Sequence, residues 1–400
     1  MSKLVIGAAY GDEGKGLTTS FLCNEYIKDG RKPLVVRMNG GSQAGHTVNH
    51  NGYRHVFANF GSGTLQGVPT FWSEYCTISP IGILNEFNAL HEAGVKPKLY
   101  IHPLCAVTTP YDRQFNCHIE KNNQHGSCGM GFGSTIQRQE DYFKLFVQDL
   151  FFDNVLEQKL NNIKNYYAKK LSSVTGSTIL PAFLDNVLKV DINDFIQVIK
   201  RVRDIITVDD GSILTSHNLV LEGAQGILLD QDFGFFPNVT RSNTTSKNAL
   251  EIIKKYNHSL IPSSTEIHYI TRAYQTRHGN GYMSNDNEKF RNLLELKNNE
   301  NETNVTNEFQ GNFKKTILDL DLLNYSLTCD NNFSKGLSKN LVITCVDQTG
   351  EDIYATVNGA FPKKMNVSEI PKHLNTTFDK VYVSRGDSMN DITLLYEKLF

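Results

Sequence analysis

The first apolar segment of the chain runs into a glycine-rich turn that carries charged side chains. Leu4 to Ile6 is apolar, Gly11 to Gly16 reads GDEGKG, and a segment able to form a helix extends to Leu22. A strand, a glycine-rich loop and a helix in this order begin an α/β unit with a parallel sheet. Free N–H groups and the dipole at the start of such a helix favour an anion. The opening therefore predicts an α/β protein with a phosphate-binding loop.

The turn differs from the loop of P-loop NTPases, which has the pattern G-x-x-x-x-G-K-[ST]. Here Gly16 follows Gly14 and Lys15, and the required upstream glycine is missing. Asp12 and Glu13 would repel phosphate by themselves. They are explained if Mg²⁺ bridges a carboxylate and a phosphate, or if one of them is a general base. A polar surface turn with incidental charges is the alternative interpretation.

Further apolar segments predict the rest of the sheet, and each is followed by a polar or glycine-bearing stretch: residues 34–36, 99–101, 219–221, 341–343 and 381–383. In open α/β sheets, ligands bind beyond the carboxyl ends of the strands. Residues 142–208 are predicted to be largely helical, because apolar residues recur there at spacings of three and four. Residues 285–306 are polar and Asn-rich, and we expect a surface insertion. We predict one large α/β domain, residues 1–400, around a mostly parallel central sheet with helical and loop insertions.

Composition argues against several classes of protein. The 400 residues carry a formal net charge of -2 without a long basic run, which argues against a dedicated nucleic-acid binder. No apolar stretch approaches the roughly 18 residues that a membrane-spanning helix needs. Seven cysteines without a CxxC pair indicate reduced thiols. The start of the sequence lacks the pattern of a secretory signal, so a cytoplasmic protein is expected.

Three later segments favour a binding site over a surface turn. Residues 37–47 (RMNGGSQAGHT) place glycines, Gln43 and His46 after a strand, and a histidine there can donate to phosphate or act as an acid. Residues 221–245 contain a Gly-Ala-Gln-Gly turn and a hydroxyl-rich loop, and residues 275–281 (QTRHGNG) contain an Arg-His pair in another glycine turn. Each signal is weak by itself.

Together and in this order, these segments resemble the adenylosuccinate synthetase family, through nearly the whole chain. The family motifs GDEGKG, GGxNAGHT, EGAQGxLLD…PxVTSSNTT and TRVGxGP read here as GDEGKG, GGSQAGHT, EGAQGILLD…PNVTRSNTT and TRHGNGY. The resemblance implies a ligase that joins L-aspartate to a 6-oxopurine nucleotide with GTP and Mg²⁺. It also implies a homodimer in which an arginine crosses the interface.

The resemblance implies roles for individual residues. Asp12 would take the N1 proton of the purine, so that O6 attacks the γ-phosphate, and would contact Mg²⁺ together with the Gly45 carbonyl. His46 would stabilise the transferring phosphoryl group and act as an acid, and Gln225 would complete the catalytic set. The aspartate amine would then displace phosphate from C6. The remaining nucleotide- and phosphate-binding candidates are Gly11, Glu13, Gly14, Lys15, Gly16, Gln43, Ala44, Cys128, Arg138, Thr240, Arg277, Lys314, Lys315, Asp347, Ser384 and Gly386.

Four departures from the family pattern affect substrate choice. TTGRGIGP reads SCGMGFGS at 127–134, so Met130 replaces an arginine, and we expect Arg138 to stand in for the partner's arginine. The loop TTGRRRR reads FQGNFKKT at 309–316, which leaves two lysines without guanidinium geometry. TKLD reads TCVD at 344–347, so Cys345 replaces a lysine, and STGP reads SRGD at 384–387.

These departures leave alternatives open. Phage relatives that use dGMP to make a 2-aminoadenine precursor replace the catalytic Asp by a small hydroxyl residue. Asp12 is retained here, which favours IMP, whereas the altered loops favour dGMP or another nucleotide. GTP and ATP both remain candidate donors. A catalytically inactive nucleotide sensor is the alternative from a different class, although Asp12, Lys15 and His46 around one loop argue against it.

Overall fold

A computed structural model describes residues 1–123, 129–256, 264–297, 302, 312–359 and 361–398. Ten of the described strands form one central sheet, which is parallel except for an antiparallel strand at one edge. In spatial order these strands are β19 (Ile392–Glu397), β18 (Lys380–Ser384), β15 (Ser338–Thr344), β11 (Thr265–Arg272), β1 (Ser2–Gly7), β10 (Asn218–Gly226), β2 (Pro33–Arg37), β5 (Thr70–Trp72), β7 (Leu99–Ile101) and β9 (Ile206–Val208).

The other described strands form small sheets beside the central one. They are β3 (His46–His50) with β4 (Tyr53–Phe57), β6 (Thr77–Ile78) with β8 (Ala106–Val107), β12 (Gln275–His278) with β13 (Phe313–Thr316), and β14 (Leu318–Asp319) with β16 (Asp352–Thr356) and β17 (Lys363–Asn366). The helices are α1 (Lys15–Lys28), α2 (Pro80–Glu92), α3 (Pro110–Asn123), α4 (Phe132–Glu140), α5 (Asp153–Thr175), α6 (Pro181–Leu188), α7 (Ile192–Ile205), α8 (Lys247–Tyr256), α9 (Glu288–Arg291), α10 (Leu320–Ser334) and α11 (Val346–Thr349).

The apolar segments identified in the sequence all lie in the central sheet, which confirms the predicted α/β fold class. Strand β1 lies between β10 and β11, and both neighbours run parallel to it. Every residue of β2 is buried, because helices and loops cover both faces of the sheet. The carboxyl ends of β2, β10, β1, β11 and β15 therefore lie side by side, and the loops that follow them meet at one edge.

The predicted helical stretch, residues 142–208, contains α5, α6 and α7. With α2 and α3, these helices surround a second apolar core that includes Leu160, Ile163 and Ile199. Within the described ranges, no helix is both long and apolar enough to cross a membrane.

The Asn-rich stretch 285–306 is described only at 285–297 and at residue 302. The Asn285 side chain donates to Thr356 Oγ1 at 2.9 Å, and Glu302 Oε2 lies 2.8 Å from Arg272 Nη1. The described part thus contacts the body of the protein. For residues 298–301 and 303–306, which lie outside the described residues, the surface insertion stays a prediction.

Candidate active site

The GDEGKG turn places its two carboxylates in different surroundings. Glu13 is buried, accepts from the Gly11 N–H at 2.6 Å and lies 3.3 Å from Lys15 Nζ. Burial raises the pKa of Glu13, although Lys15 and the Gly11 N–H oppose the shift. Lys15 Nζ also donates to the Gly11 carbonyl at 2.5 Å. Glu13 therefore holds the turn closed, and its side chain is not presented to a ligand.

Asp12 points the other way, and about a fifth of its side chain is exposed. Its carbonyl accepts a hydrogen bond from Arg272 Nε at the end of β11. Its carboxylate Oδ2 lies 3.7 Å from His278 Nε2 at the end of β12. The backbone is thus fixed, and the carboxylate is presented to solvent and ligands.

Asp12 lies in a wall between two cavities. The large cavity has a volume of about 850 Å³ and the small one about 350 Å³. Both are lined by the same five residues: Gly11, Asp12, Gly45, His46 and Thr47. A group bound at the inner end of one cavity therefore lies next to a group bound in the other.

Helix α1 begins at this wall without a side-chain cap. Gly14 precedes it with φ 94°, a left-handed conformation that glycine adopts without strain, and no side-chain cap is found among the described residues. The N–H groups of the first turn are therefore available to an anion. A Cβ on Gly16 would lie 2.9 Å from His46 Cβ, so glycine at this position lets His46 approach the helix.

His46 is held by a carboxylate that the sequence interpretation missed. His46 Nδ1 lies 2.7 Å from Glu222 Oε1, Ser62 Oγ donates to the same carboxylate, and Arg37 Nη1 lies 4.0 Å from it. Burial lowers the pKa of His46 to about 4, while Glu222 opposes the shift. Burial raises the pKa of Glu222, but His46, Arg37 and Ser62 outweigh it and lower it to about 2. At neutral pH a neutral imidazole thus donates from Nδ1 to a carboxylate.

The second ring nitrogen of His46 is left without a partner in the described part of the chain. His46 Nε2 is buried and has no hydrogen-bond partner among the described residues. Because the residue lines both cavities, a ligand group can supply the missing partner.

Several predicted site residues line the large cavity: the catalytic candidate Gln225 and the nucleotide-binding candidates Gln43, Ala44, Thr240 and Arg277. Both amide atoms of Gln43 are buried without a partner in the described part of the chain, so the amide is available to a ligand. Gln225 has φ 63° at the end of β10. Arg277 donates to the Tyr282 and Asn238 carbonyls and stacks 4.3 Å above the Tyr10 ring. Its guanidinium thus supports the cavity wall.

The small cavity collects the other predicted group: Gly11, Gly14, Lys15, Gly16, Asp347 and Gly386. Cys345 and Asp387 line it too. Ser384 is buried and donates to the Gly386 carbonyl at 2.8 Å, so it supports this loop from behind. Burial raises the pKa of Asp347, and the neighbouring carboxylate of Asp387 adds to the shift.

The two predicted lysines, Lys314 and Lys315, line neither of these cavities. Lys314 pairs with Asp286 at 2.9 Å, and Lys315 Nζ lies 5.4 Å from the Phe313 ring. Both lysines belong to β13, and their role toward aspartate stays a prediction. Cys128 lies outside the described residues.

The structure corrects the role predicted for Arg138. It is fully buried and donates to both carboxylate oxygens of Asp112, to the carbonyls of Val107 and Phe143, and to Gln139. Its guanidinium is therefore occupied inside its own chain, where it joins α4 to α3. The prediction that Arg138 reaches a nucleotide, or a partner's site, is wrong because these contacts leave it no path to a ligand.

Comparisons with known proteins bear on the family and the fold. A profile of the adenylosuccinate synthetase family matches residues 4–375. The adenylosuccinate synthetase of Francisella tularensis subsp. novicida is 30% identical over 363 residues, which cover 87% of this chain and 79% of the relative. The enzyme of Actinobacillus succinogenes is 33% identical over 254 residues, 61% of this chain but only 56% of the relative.

Two solved structures share the fold. Fully ligated adenylosuccinate synthetase from Plasmodium falciparum matches with a TM-score of 0.73 at 18% identity, over 99% of each chain. The succinoaminodeoxyadenylate synthetase of cyanophage S-2L, bound to dGMP and to dATP as an energy donor, matches with a TM-score of 0.62 at 16% identity, over 98% of this chain and 95% of the phage chain. With the family profile covering 4–375, the chain belongs to the adenylosuccinate synthetase family.

Proposed function

We propose that this chain is a purine-nucleotide ligase that condenses L-aspartate with a 6-oxopurine nucleotide, IMP in preference, with GTP as the phosphoryl donor. The observation that carries the proposal is the wall of Asp12 and His46 shared by the two cavities. Phosphoryl transfer between two nucleotides requires two adjacent sites, with a base and a charge-stabilising group where they meet. The product would be adenylosuccinate.

In this proposal Asp12 is the general base. Its carboxylate removes the N1 proton of the purine, and O6 forms a bond to the γ-phosphorus as the bond to the β-phosphate oxygen breaks. The amine of aspartate then adds to C6 and releases one proton to solvent, and inorganic phosphate leaves with the oxygen that was O6. The Arg272 hydrogen bond to the Asp12 carbonyl keeps the base in place through both steps.

His46 would act on the phosphoryl group through Nε2. Its imidazole is neutral in the free protein because burial lowers its pKa. A triphosphate beside Nε2 brings negative charge, which favours the protonated form. The imidazolium would then lie between Glu222 and the phosphate, where it can stabilise the charge of the transition state.

The donor set at the wall fits Mg²⁺. Mg²⁺ prefers hard oxygen ligands and is usually held by one or two carboxylates together with substrate phosphates and water. Asp12 provides a carboxylate and Gly45 a backbone carbonyl, and both line both cavities. When bound there, Mg²⁺ would neutralise phosphate charge. Within the described residues no cluster of three or more His, Cys, Asp or Glu could hold a metal ion by itself.

The small cavity supports a guanine nucleotide as the donor. Asp347 and Asp387 line it, and ionised carboxylates only accept hydrogen bonds. Guanine offers two donors on one edge, N1–H and the 2-amino group, whereas adenine presents an acceptor at N1. Carboxylates at this wall therefore favour GTP over ATP.

A dGMP-using ligase is the second candidate. The shared fold of the cyanophage enzyme, whose structure holds dGMP and dATP, motivates it. Asp12 argues for IMP, because its carboxylate leaves less room for a 2-amino group than a small hydroxyl side chain would. A catalytically inactive sensor is disfavoured by the Asp12 and His46 arrangement, since nucleotide binding alone requires neither a base nor an acid.

An assay matrix tests the proposal. IMP, GMP and dGMP are each combined with GTP or ATP, Mg²⁺ and L-aspartate, and the succinylated product and released phosphate are measured. We expect the highest turnover with IMP and GTP. Turnover with dGMP but not with IMP or GMP would select the second candidate. Measurable nucleotide binding without product in any combination would select the sensor.

A further inference from the structure

The large cavity extends from the Asp12 and His46 wall to helices α3, α4 and α5. Among the described residues that line it, Asp12 is the only carboxylate. On the α4 side it is lined by two cationic side chains that the sequence interpretation did not select, Arg241 and Lys170. The cavity thus has the Asp12 carboxylate at one end, beside His278, and two ion-paired cations at the other, Arg241 with Glu140 and Lys170 with Asp141.

One hydrogen-bond network ties the two cations to α4. Arg241 donates to Gln137 Oε1 and to Glu140 Oε2, each at 2.6 Å. Gln137 Nε2 donates to Asp141 Oδ1 at 3.0 Å. Lys170 Nζ lies 3.3 Å from Asp141 Oδ2. Arg241 and Lys170 thus belong to the same rim of the cavity.

These contacts leave donors for a ligand. Bonds to described residues use two of the five guanidinium N–H groups of Arg241. Lys170 donates to Tyr166 at 2.7 Å and to Asp141, which uses two of its three N–H groups. Both ion pairs are partly exposed, so a charged ligand can compete with them at small cost.

The neighbouring arginines are held by contacts within the chain, although Arg277 Nε is buried without a partner among the described residues. Arg277 donates to two backbone carbonyls, and Arg138 is buried against Asp112. In the resembling motif, the family's PxVTSSNTT has serine where this chain has Arg241, and TTGRGIGP has arginine where this chain has Met130. Arg241 therefore brings a cation to the cavity lining at a position where the resembling motif has serine.

We infer that Arg241 and Lys170 of the same chain hold the 5′-phosphate of the monophosphate substrate, with its base directed toward Asp12. A nucleoside monophosphate matches this arrangement, since its dianionic phosphate can accept from the remaining N–H groups of Arg241 and Lys170 and its base can deliver a proton to Asp12. The inference rests on the proposed function and names which residues select a nucleotide over a nucleoside.

The test removes the cationic side chain from the protein and the phosphate from the ligand, separately and together. Binding affinity is measured instead of turnover. Isothermal titration measures Kd for IMP and inosine, and for dGMP and deoxyguanosine, with wild type, Arg241→Gln and Lys170→Met. Arg201→Gln on α7 and Lys169→Met on α5 are the matched controls, because both residues are exposed and neither lines the cavity. Arg241→Lys retains charge without the planar fork.

We expect Arg241→Gln and Lys170→Met each to weaken monophosphate binding about 10- to 100-fold, as for a lost charge-assisted hydrogen bond. Nucleoside binding should stay within about twofold, the controls should match wild type, and Arg241→Lys should be intermediate. Unchanged monophosphate binding in both variants overturns the inference while leaving the proposed function intact. A wild type that binds no purine monophosphate overturns the proposed function, and this inference with it.

Discussion

His46 Nδ1 and Glu222 Oε1 lie 2.7 Å apart, and this contact joins the first residue of β3 to the middle of β10. It fixes the imidazole by Nδ1 and leaves Nε2 without a hydrogen-bond partner among the described residues. Glu222 therefore acts on the reaction through His46, as a positioning residue.

Replacing Glu222 by Gln should lower turnover by about 100-fold while the KM values change little. The amide keeps the size of the side chain but carries no negative charge to stabilise an imidazolium at His46. Loss of a general acid–base group lowers the rate by roughly 10²–10⁴-fold. Steady-state kinetics and thermal unfolding of the same preparations check this.

Glu86→Gln is the matched control for that variant. Glu86 is also buried and accepts backbone N–H groups of Ala58, Asn59 and Phe60, but it does not line either cavity. If the turnover numbers of Glu222→Gln and Glu86→Gln were equal, Glu222 would have only a structural role.

Replacing Asp12 by Asn should leave nucleotide binding within a few-fold and lower turnover by at least about two orders of magnitude. The amide fits the same space but cannot accept the N1 proton. Asp347→Asn in the small cavity is the comparison, since it should raise the KM for the triphosphate and leave the monophosphate KM unchanged. Turnover that survives in Asp12→Asn would remove this residue from the mechanism.

Much of the fold could be predicted because buried parallel strands are nearly continuous apolar runs. Leu4 to Ile6 and the other apolar segments fit that rule. Strand β11, the direct neighbour of β1, was not selected because His268, Tyr269 and Thr271 interrupt its apolar character. A central position in the sheet buries these polar residues in spite of their type.

The site was predictable in its loops but not in the direction of individual side chains. Sequence alone did not say which carboxylate of the GDEGKG turn faces the ligand. The structure decides it through Gly7, where a Cβ would lie 2.4 Å from Glu13 Oε2, so glycine makes room for Glu13 inside. Arg138 was misassigned because its partner Asp112 is 26 residues away in the chain.

Replacing Cys345 by Lys should raise the preference for GTP over ATP. Cys345 lines the small cavity beside Asp347, and an ammonium group there would donate to guanine O6 but would oppose the amino group of adenine. We expect the ratio of kcat/KM values to change several-fold toward GTP. Cys345→Ser removes the thiol without adding charge and should leave the ratio near that of wild type. A wild-type ratio in Cys345→Lys would show that Cys345 does not lie beside the base of the triphosphate.

His268 should make folding stability depend on pH. It is buried in β11, and its Nε2 lies 3.2 Å from the Asn340 side-chain nitrogen, so Nε2 accepts and the ring is neutral. Burial lowers its pKa to about 3, and Lys3 and Lys380 add to the shift. The unfolded chain binds this proton below about pH 6.5, whereas the folded chain does not until about pH 3.

The stabilisation from keeping His268 neutral is therefore fully present above about pH 6.5 and is lost as the pH falls toward 3. Its contribution to the free energy of unfolding should fall by up to about 1.4 kcal/mol per pH unit in that window. Urea unfolding of wild type and His268→Gln from pH 5 to 8 measures it. The advantage of wild type should shrink on acidification, whereas His91→Gln at an exposed position should follow wild type. Curves for wild type and His268→Gln that stay parallel over this range would show that His268 does not titrate between the folded and unfolded states as proposed.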